Sequence, residues 1–124
     1  MVKQDYLMRM INDLITGMAK MLFHTDIRED EELDFQSDTL GEQFKALLDL
    51  ADEGKLEEAL EEMDRILDQG HMESLKMALY FFEYLNRMDE DALEAKGLER
   101  EDLQEKILEA ADRFGYRSMA EMLL

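Results

Sequence analysis

The sequence has no cysteine, no proline and no tryptophan, and only two histidines in 124 residues. Without cysteine there is no disulfide framework, no thiolate zinc site and no thiol nucleophile. Two histidines, His24 and His71, leave little for His-rich metal binding or Ser-His catalysis. Positive charge is also scarce, with 14 Lys+Arg against 32 Asp+Glu and a net charge of −18. That balance disfavours nucleic acid and anionic lipid as partners, because both need cations to displace counterions. No apolar run approaches the ~20 residues of a spanning helix, so no membrane insertion is expected. The first residues lack a basic start, a short apolar block and a small-residue cleavage site. A cytoplasmic protein is therefore expected.

Hydrophobic residues make up 46% of the chain, enough for one compact core, so a single domain over residues 1–124 is expected. Its charge is uneven. Residues 1–25 balance at +1, residues 26–38 carry −6, and residues 39–70 carry −7. The organisation read from this is an N-terminal helix (1–23), an acidic linker (24–38) and a helical body (39–124).

From Lys3 to Phe23 the polar residues Asp5, Arg9, Asp13, Thr16 and Lys20 form one narrow stripe, and nearly everything else is apolar. A surface helix normally carries a narrower apolar face. The helix is thus either shared with another chain or clasped on two sides by its own domain. The first reading predicts a homodimer with Leu7, Ile11, Leu14, Met18 and Leu22 at the contact. Gly17, beside Met18, would let the two backbones approach. The second reading folds the helix back across the chain's own core.

In the body, Thr39 and Glu42 have the spacing of a capping box, followed by the apolar positions Phe44, Leu47, Leu48 and Ala51. Gly54 supplies a turn, and Leu56, Ala59, Leu60, Met63, Ile66 and Leu67 continue as a second helix that stops at Gly70. Met72–Met88 is apolar on most of its circumference and reads as a central helix. Asp89–Lys96 is a short helix closed by Gly97. Residues 99–114 form another, with Leu103, Ile107, Leu108, Ala111 and Phe114 inward and Gly115 as its stop. Ser118 and Glu121 suggest a second capping box for a last short turn. Nothing alternates with period two for long enough to be a strand, so the fold class is all-α.

The stretch Phe44–Leu67, with Gly54-x-Leu56-x-x-Ala59 at its centre, resembles a tetratricopeptide repeat unit. Gly54 falls at the turn between helices, and small Ala59 permits their close approach. The first helix has Leu47 where such a repeat keeps a small residue, and no proline closes the unit. The resemblance implies antiparallel helical hairpins built on the same packing logic. Across most of the chain, a series of blocks resembles a family of small proteins of unknown function from Firmicute bacteria. These are Asp5-Tyr6-Leu7-Met8-Arg9-Met10-Ile11, Ala19-Lys20-Met21-Leu22-Phe23, the Gly54 hairpin, Met77-Ala78-Leu79-Tyr80-Phe81 and Arg113-Phe114-Gly115-Tyr116. That resemblance implies an all-helical bacterial cytoplasmic protein and carries over no catalytic or binding residue.

Candidate chemistry is sparse. Asp26, Glu29, Asp30, Glu31, Glu32 and Asp34 supply the hard oxygen ligands that Ca²⁺ and Mg²⁺ prefer, but a solvated charged linker is the favoured reading of such a run. An EF-hand loop with Gly54 at its sixth position would put Ala51 at the third and Leu60 at the twelfth, where carboxylates are required. A di-iron bundle needs Glu-x-x-His pairs, whereas Met21 and Asp68 stand three residues before His24 and His71. Ser37, Ser74 and Ser118 sit in no Gly-x-Ser-x-Gly elbow, and the six glycines form no phosphate loop. No metal, cofactor or catalytic residue is assigned. Eleven methionines, Met18, Met63 and Met77 among them, fit an adaptable core. Tyr80 and Tyr84 are candidates for the edge of a peptide groove.

The function expected is a non-catalytic protein-interaction module that self-associates through its N-terminal helix and prefers basic or amphipathic peptides. The alternative is a small-molecule-binding protein or enzyme whose site is built from scattered acidic and aromatic residues.

Overall fold

The computed structural model of the chain describes residues 2–27 and 38–124, and among these residues it is all helical. Seven helices follow in order: α1 (Val2–Phe23), α2 (Asp38–Asp52), α3 (Leu56–Asp68), α4 (Met72–Asn86), α5 (Glu90–Ala95), α6 (Arg100–Arg113) and α7 (Arg117–Met122). Most of the acidic linker, residues 28–37, lies outside the described residues, and so do Glu29, Asp30, Glu31, Glu32 and Asp34. No helix of the described residues is long and apolar enough to cross a membrane.

The α2–α3 hairpin forms as its sequence pattern requires. Gly54 adopts φ +80°, a left-handed conformation that side chains with a Cβ resist, and the Lys55 amide reaches back to the Leu50 carbonyl at 2.8 Å. Ala59 is fully buried where the two helices meet. α4 then runs through the middle of the molecule, in contact with α1, α2, α3 and α6. Its apolar circumference is the reason: Leu75, Met77, Ala78, Leu79, Tyr80, Phe81, Phe82 and Leu85 are all buried. Leu103, Ile107, Leu108 and Ala111 of α6 face inward as expected, while Phe114 is half-buried against the same core.

The largest departure from expectation concerns α1. Leu7, Ile11, Leu14 and Met18, assigned above to a contact between chains, are buried within a single chain, and Ile11, Leu14 and Met18 have no exposed area at all. Leu22 is half-buried against the same core. α4 and α6 cover the wide apolar face of α1, which is the clasp that the sequence left open as its alternative. Gly17 belongs to this arrangement too. A Cβ there would lie 3.1 Å from both terminal methyl carbons of Leu123, so the glycine makes room for the chain's own last turn.

Two helix starts are also displaced. α2 begins at Asp38, which puts Thr39 inside the helix, and its carboxylate suits the positive end of the helix dipole. α7 begins at Arg117 after Tyr116, without a side-chain cap, so Ser118 is not the capping residue. Glu121 is held by Arg117 at 2.9 Å instead. Asp89 does cap α5, accepting the Ala92 amide at 2.7 Å.

Truncating Ile11 or Leu14 to alanine should cost about 2–5 kcal/mol of folding stability, the range for a large side chain removed from a packed core. Urea titrations should show a lower midpoint that does not change with protein concentration. A midpoint that moves with concentration would return these residues to a contact between chains.

Candidate functional site

Among the described residues, three features stand out for polar chemistry or open space. The first is the seam between α1 and α4. Glu83 stands near the C-terminal end of α4 and is only 6% exposed, an expensive position for a carboxylate unless donors surround it. Arg87, one turn on, donates Nε–H to Glu83 Oε1 at 3.1 Å. With its amide oriented to satisfy both groups, Asn12 of α1 donates to Oε1 at 3.0 Å and Oε2 at 3.3 Å. Beside it the buried Asn86 donates Nδ2–H to the Met8 carbonyl at 2.9 Å, while its Oδ1 has no partner. A cleft of about 390 Å³ opens over this seam, lined by Asp5, Met8, Arg9, Asn12, Glu83, Asn86 and Arg87. Its two acids and two bases compensate each other, and the polar bonds run from helix to helix. The arrangement fixes the register of α1 on α4.

The second feature is a groove of about 490 Å³ where α3, α6 and the turn before α6 meet. Its floor is apolar, built from Leu56, Leu60 and Leu98, and its walls carry Glu57, Asp102, Glu105 and Glu109 with Lys96 and Lys106. Amphipathic α3 places its leucines toward α4 and α6 and its glutamates outward, so hydrocarbon and carboxylate meet along the groove. Arg117 anchors Glu105 at 3.2 Å.

The third feature is a cavity of about 700 Å³ where helix ends meet, lined by Phe23, Thr39, Leu40, Gln43, Gln69, His71, Met72 and Glu73.

The tyrosines singled out in the sequence stand elsewhere. Tyr80 is buried, at 8% exposure, within the core. Tyr84 is half-buried and donates its hydroxyl to the Asp52 carboxylate, tying α4 to the end of α2. That bond, with some burial and the charge of Asp52, pushes the Tyr84 phenol up to about 12. Neither tyrosine lines the groove or the cavity. His24 is exposed and ends α1 at φ +54°, with the following Thr25 amide bonded to Ala19. Both are features of a helix C-terminus. Exposed His71 caps α4 through its backbone, accepting the Ser74 amide at 2.9 Å. Among the described residues no three His, Asp or Glu side chains are gathered as a metal site would need.

Sequence reasoning missed Glu83, Asn86 and the end-to-end cavity. Glu83 and Asn86 carry a legible trace, being polar positions three apart in the otherwise apolar second half of α4. The cavity has none, because it joins residues from four separate helix ends.

Two outcomes test this account. Asn86→Ala should lower stability by about 1–3 kcal/mol, because it leaves the Met8 carbonyl without its buried donor. Equality with wild type in urea would show the bond to be idle. Tyr84 should ionise near pH 12 in an ultraviolet titration and return toward 10 in Asp52→Asn. Its folded value lies above the unfolded one, so its stabilisation is complete below pH 10 and is lost as pH rises toward 12.

Comparison with known proteins adds one assignment. No curated protein and no solved structure matches the chain. Residues 1–115 match the model of a family of unknown function, DUF6483, and the chain belongs to that family.

Proposed function

We propose that the protein is a non-catalytic interaction module whose α3–α6 groove takes a basic, amphipathic segment of a partner protein. The observation that carries this reading is the pairing of an apolar floor, Leu56, Leu60 and Leu98, with walls in which four carboxylates outnumber two lysines, Lys96 and Lys106. A helix or extended segment with alternating leucine and lysine character would bury its hydrocarbon on that floor and set its cations against Glu57, Asp102, Glu105 and Glu109. A volume of about 490 Å³ lies within the ~300–1,000 Å³ of ordinary binding clefts. The net charge of −18 adds long-range steering of cationic partners and repulsion of nucleic acid. α3, the second helix of the tetratricopeptide-like hairpin, supplies one wall. A bacterial cytoplasmic setting, taken from the family resemblance of the sequence, completes the proposal.

A fluorescently labelled Leu/Lys amphipathic peptide provides the test. Anisotropy should report saturable binding that weakens steeply between 50 and 500 mM salt, as the Debye length falls from about 14 Å to about 4 Å. The double variant Glu105→Lys/Glu109→Lys should lose about tenfold or more in affinity, ~1.4 kcal/mol. Glu42→Lys/Asp49→Lys on α2, away from the groove, should lose far less. Equal losses for the two variants would show diffuse charge attraction and overturn the groove assignment.

A further inference from the structure

We infer that α7 is an autoinhibitory strap on the α3–α6 groove, an assignment that rests on the groove reading above. Arg117 of α7 occupies a wall carboxylate that a basic partner segment must take over, so partner binding loosens α7. The strap is fastened at both ends. Past its C-terminal end, Leu123 lies against Gly17 of α1, where an added Cβ would stand 3.1 Å from the leucine methyl carbons. At its N-terminal end, Arg117 donates Nη2–H to Glu105 of α6 at 3.2 Å and Nε–H to Glu121 of α7 at 2.9 Å. Between the two, α7 packs on α6 and buries Ala120 completely.

Glu105 serves two structures at once. It lines the groove beside Asp102 and Glu109, which stand three residues before it and four after it on one face of α6. It is also the carboxylate that holds Arg117. Arg117 itself stands outside the groove lining, so its charge competes with an entering cation without blocking the apolar floor. The pair is built for exchange. Arg117 is 36% exposed and Glu105 55%, and an ion pair so wet is worth little more than its hydrated halves. Glu121 remains to pair Arg117 after the exchange, so releasing Glu105 strands no cation. Arg113 shows the contrast. It joins the same α6 to Asp64 and Asp68 of α3 and donates to the Asp64 carbonyl at 3.0 Å, and none of these acceptors lines the groove. Arg117 is thus the link between a groove carboxylate and a further element. Linkage makes the effect mutual: by the factor that α7 weakens the partner, the partner weakens the seating of α7.

The test reads both sides of that linkage on the full chain, with the labelled Leu/Lys peptide. At about 100 mM salt, where the Debye length is ~10 Å, charges far from the groove are screened. Arg117→Gln removes the competitor and should tighten the peptide about two- to fivefold, the worth of one exposed ion pair. Lys45→Gln removes the same charge from an exposed position on α2, which does not line the groove, and should leave affinity nearly unchanged. The local readout is the methyl resonance of Met119, a residue of α7 half-buried against the core and assigned with Met119→Leu. In the wild-type chain the peptide should shift it saturably, in step with anisotropy. In Arg117→Gln it should start near the peptide-bound position and move little further. Equal tightening by the two Gln variants would reduce the effect to overall charge. A Met119 resonance indifferent to the peptide would mean that α7 stays seated, and equal shifts in wild type and Arg117→Gln would mean direct contact with the peptide. Each of these overturns the strap while leaving the groove to be judged on its own variants. If the peptide binds none of the chains, the groove reading fails and the strap fails with it.

Discussion

A helix that is apolar around its circumference must be enclosed on all sides, and the enclosure of α4 governs the rest of this molecule. Eleven of its fifteen residues are buried. At ~1.5–3 kcal/mol for each large apolar side chain removed from water, no single hairpin can leave one of its faces open. α2 and α3 cover part of the circumference, α6 another, and α1 is drawn across the remainder. The wide apolar face of α1 follows from that duty, because it has to meet both α4 and α6. Leu123 then folds over Gly17 on the same helix, so the last turn of the chain is seated on the first element.

The polar residues inside this enclosure do a different task. Hydrocarbon faces alone leave helices free to slide, whereas Asn86 reaching the Met8 carbonyl and Asn12 reaching Glu83 are satisfied at one register only. The scarce cations are placed on the same principle. Arg100 is buried and donates to the Met88 carbonyl at 2.6 Å, stitching the start of α6 to the end of α4. Burial pulls its basicity down, while Glu90, Glu101, Asp5 and Asp89 act in the opposite sense and favour the charged form. Arg113 bridges α6 to Asp64 and Asp68 of α3 at 3.3 and 3.4 Å, and Arg117 joins Glu105 to Glu121. Such exposed pairs contribute little stability singly. Their larger consequence is that these bases are engaged between elements, leaving the outer carboxylates of α3 and α6 in excess.

Periodicity made the fold legible in outline. The apolar face of α3, the all-round apolarity of α4 and the turn at Gly54 are local facts, and each appears in the structure as its sequence pattern implied. What periodicity cannot report is which surface meets a wide apolar face. The pattern of α1 is the same whether Ile11 and Leu14 meet a second chain or α4, and only the three-dimensional supply of apolar partners decides between them. Thr39 and Ser118 have capping chemistry, but each lies inside its helix, one residue past the start. Tyr84 was singled out for its hydroxyl and does use it, though toward Asp52, thirty-two positions away, a pairing that spacing cannot reveal.

The α3–α6 groove and the cavity at the helix ends differ in origin, and that difference shows in their walls. The α3–α6 groove arises along helix faces, where one amphipathic period sets leucine beneath glutamate, so its chemistry repeats along its length. A repeating surface of that kind accommodates any segment with matching periodicity and discriminates mainly through charge. The cavity arises at helix ends, where no period operates and the wall residues come from the ends of four helices. The groove walls, by contrast, repeat one chemistry along their length, four carboxylates and two lysines above a leucine floor.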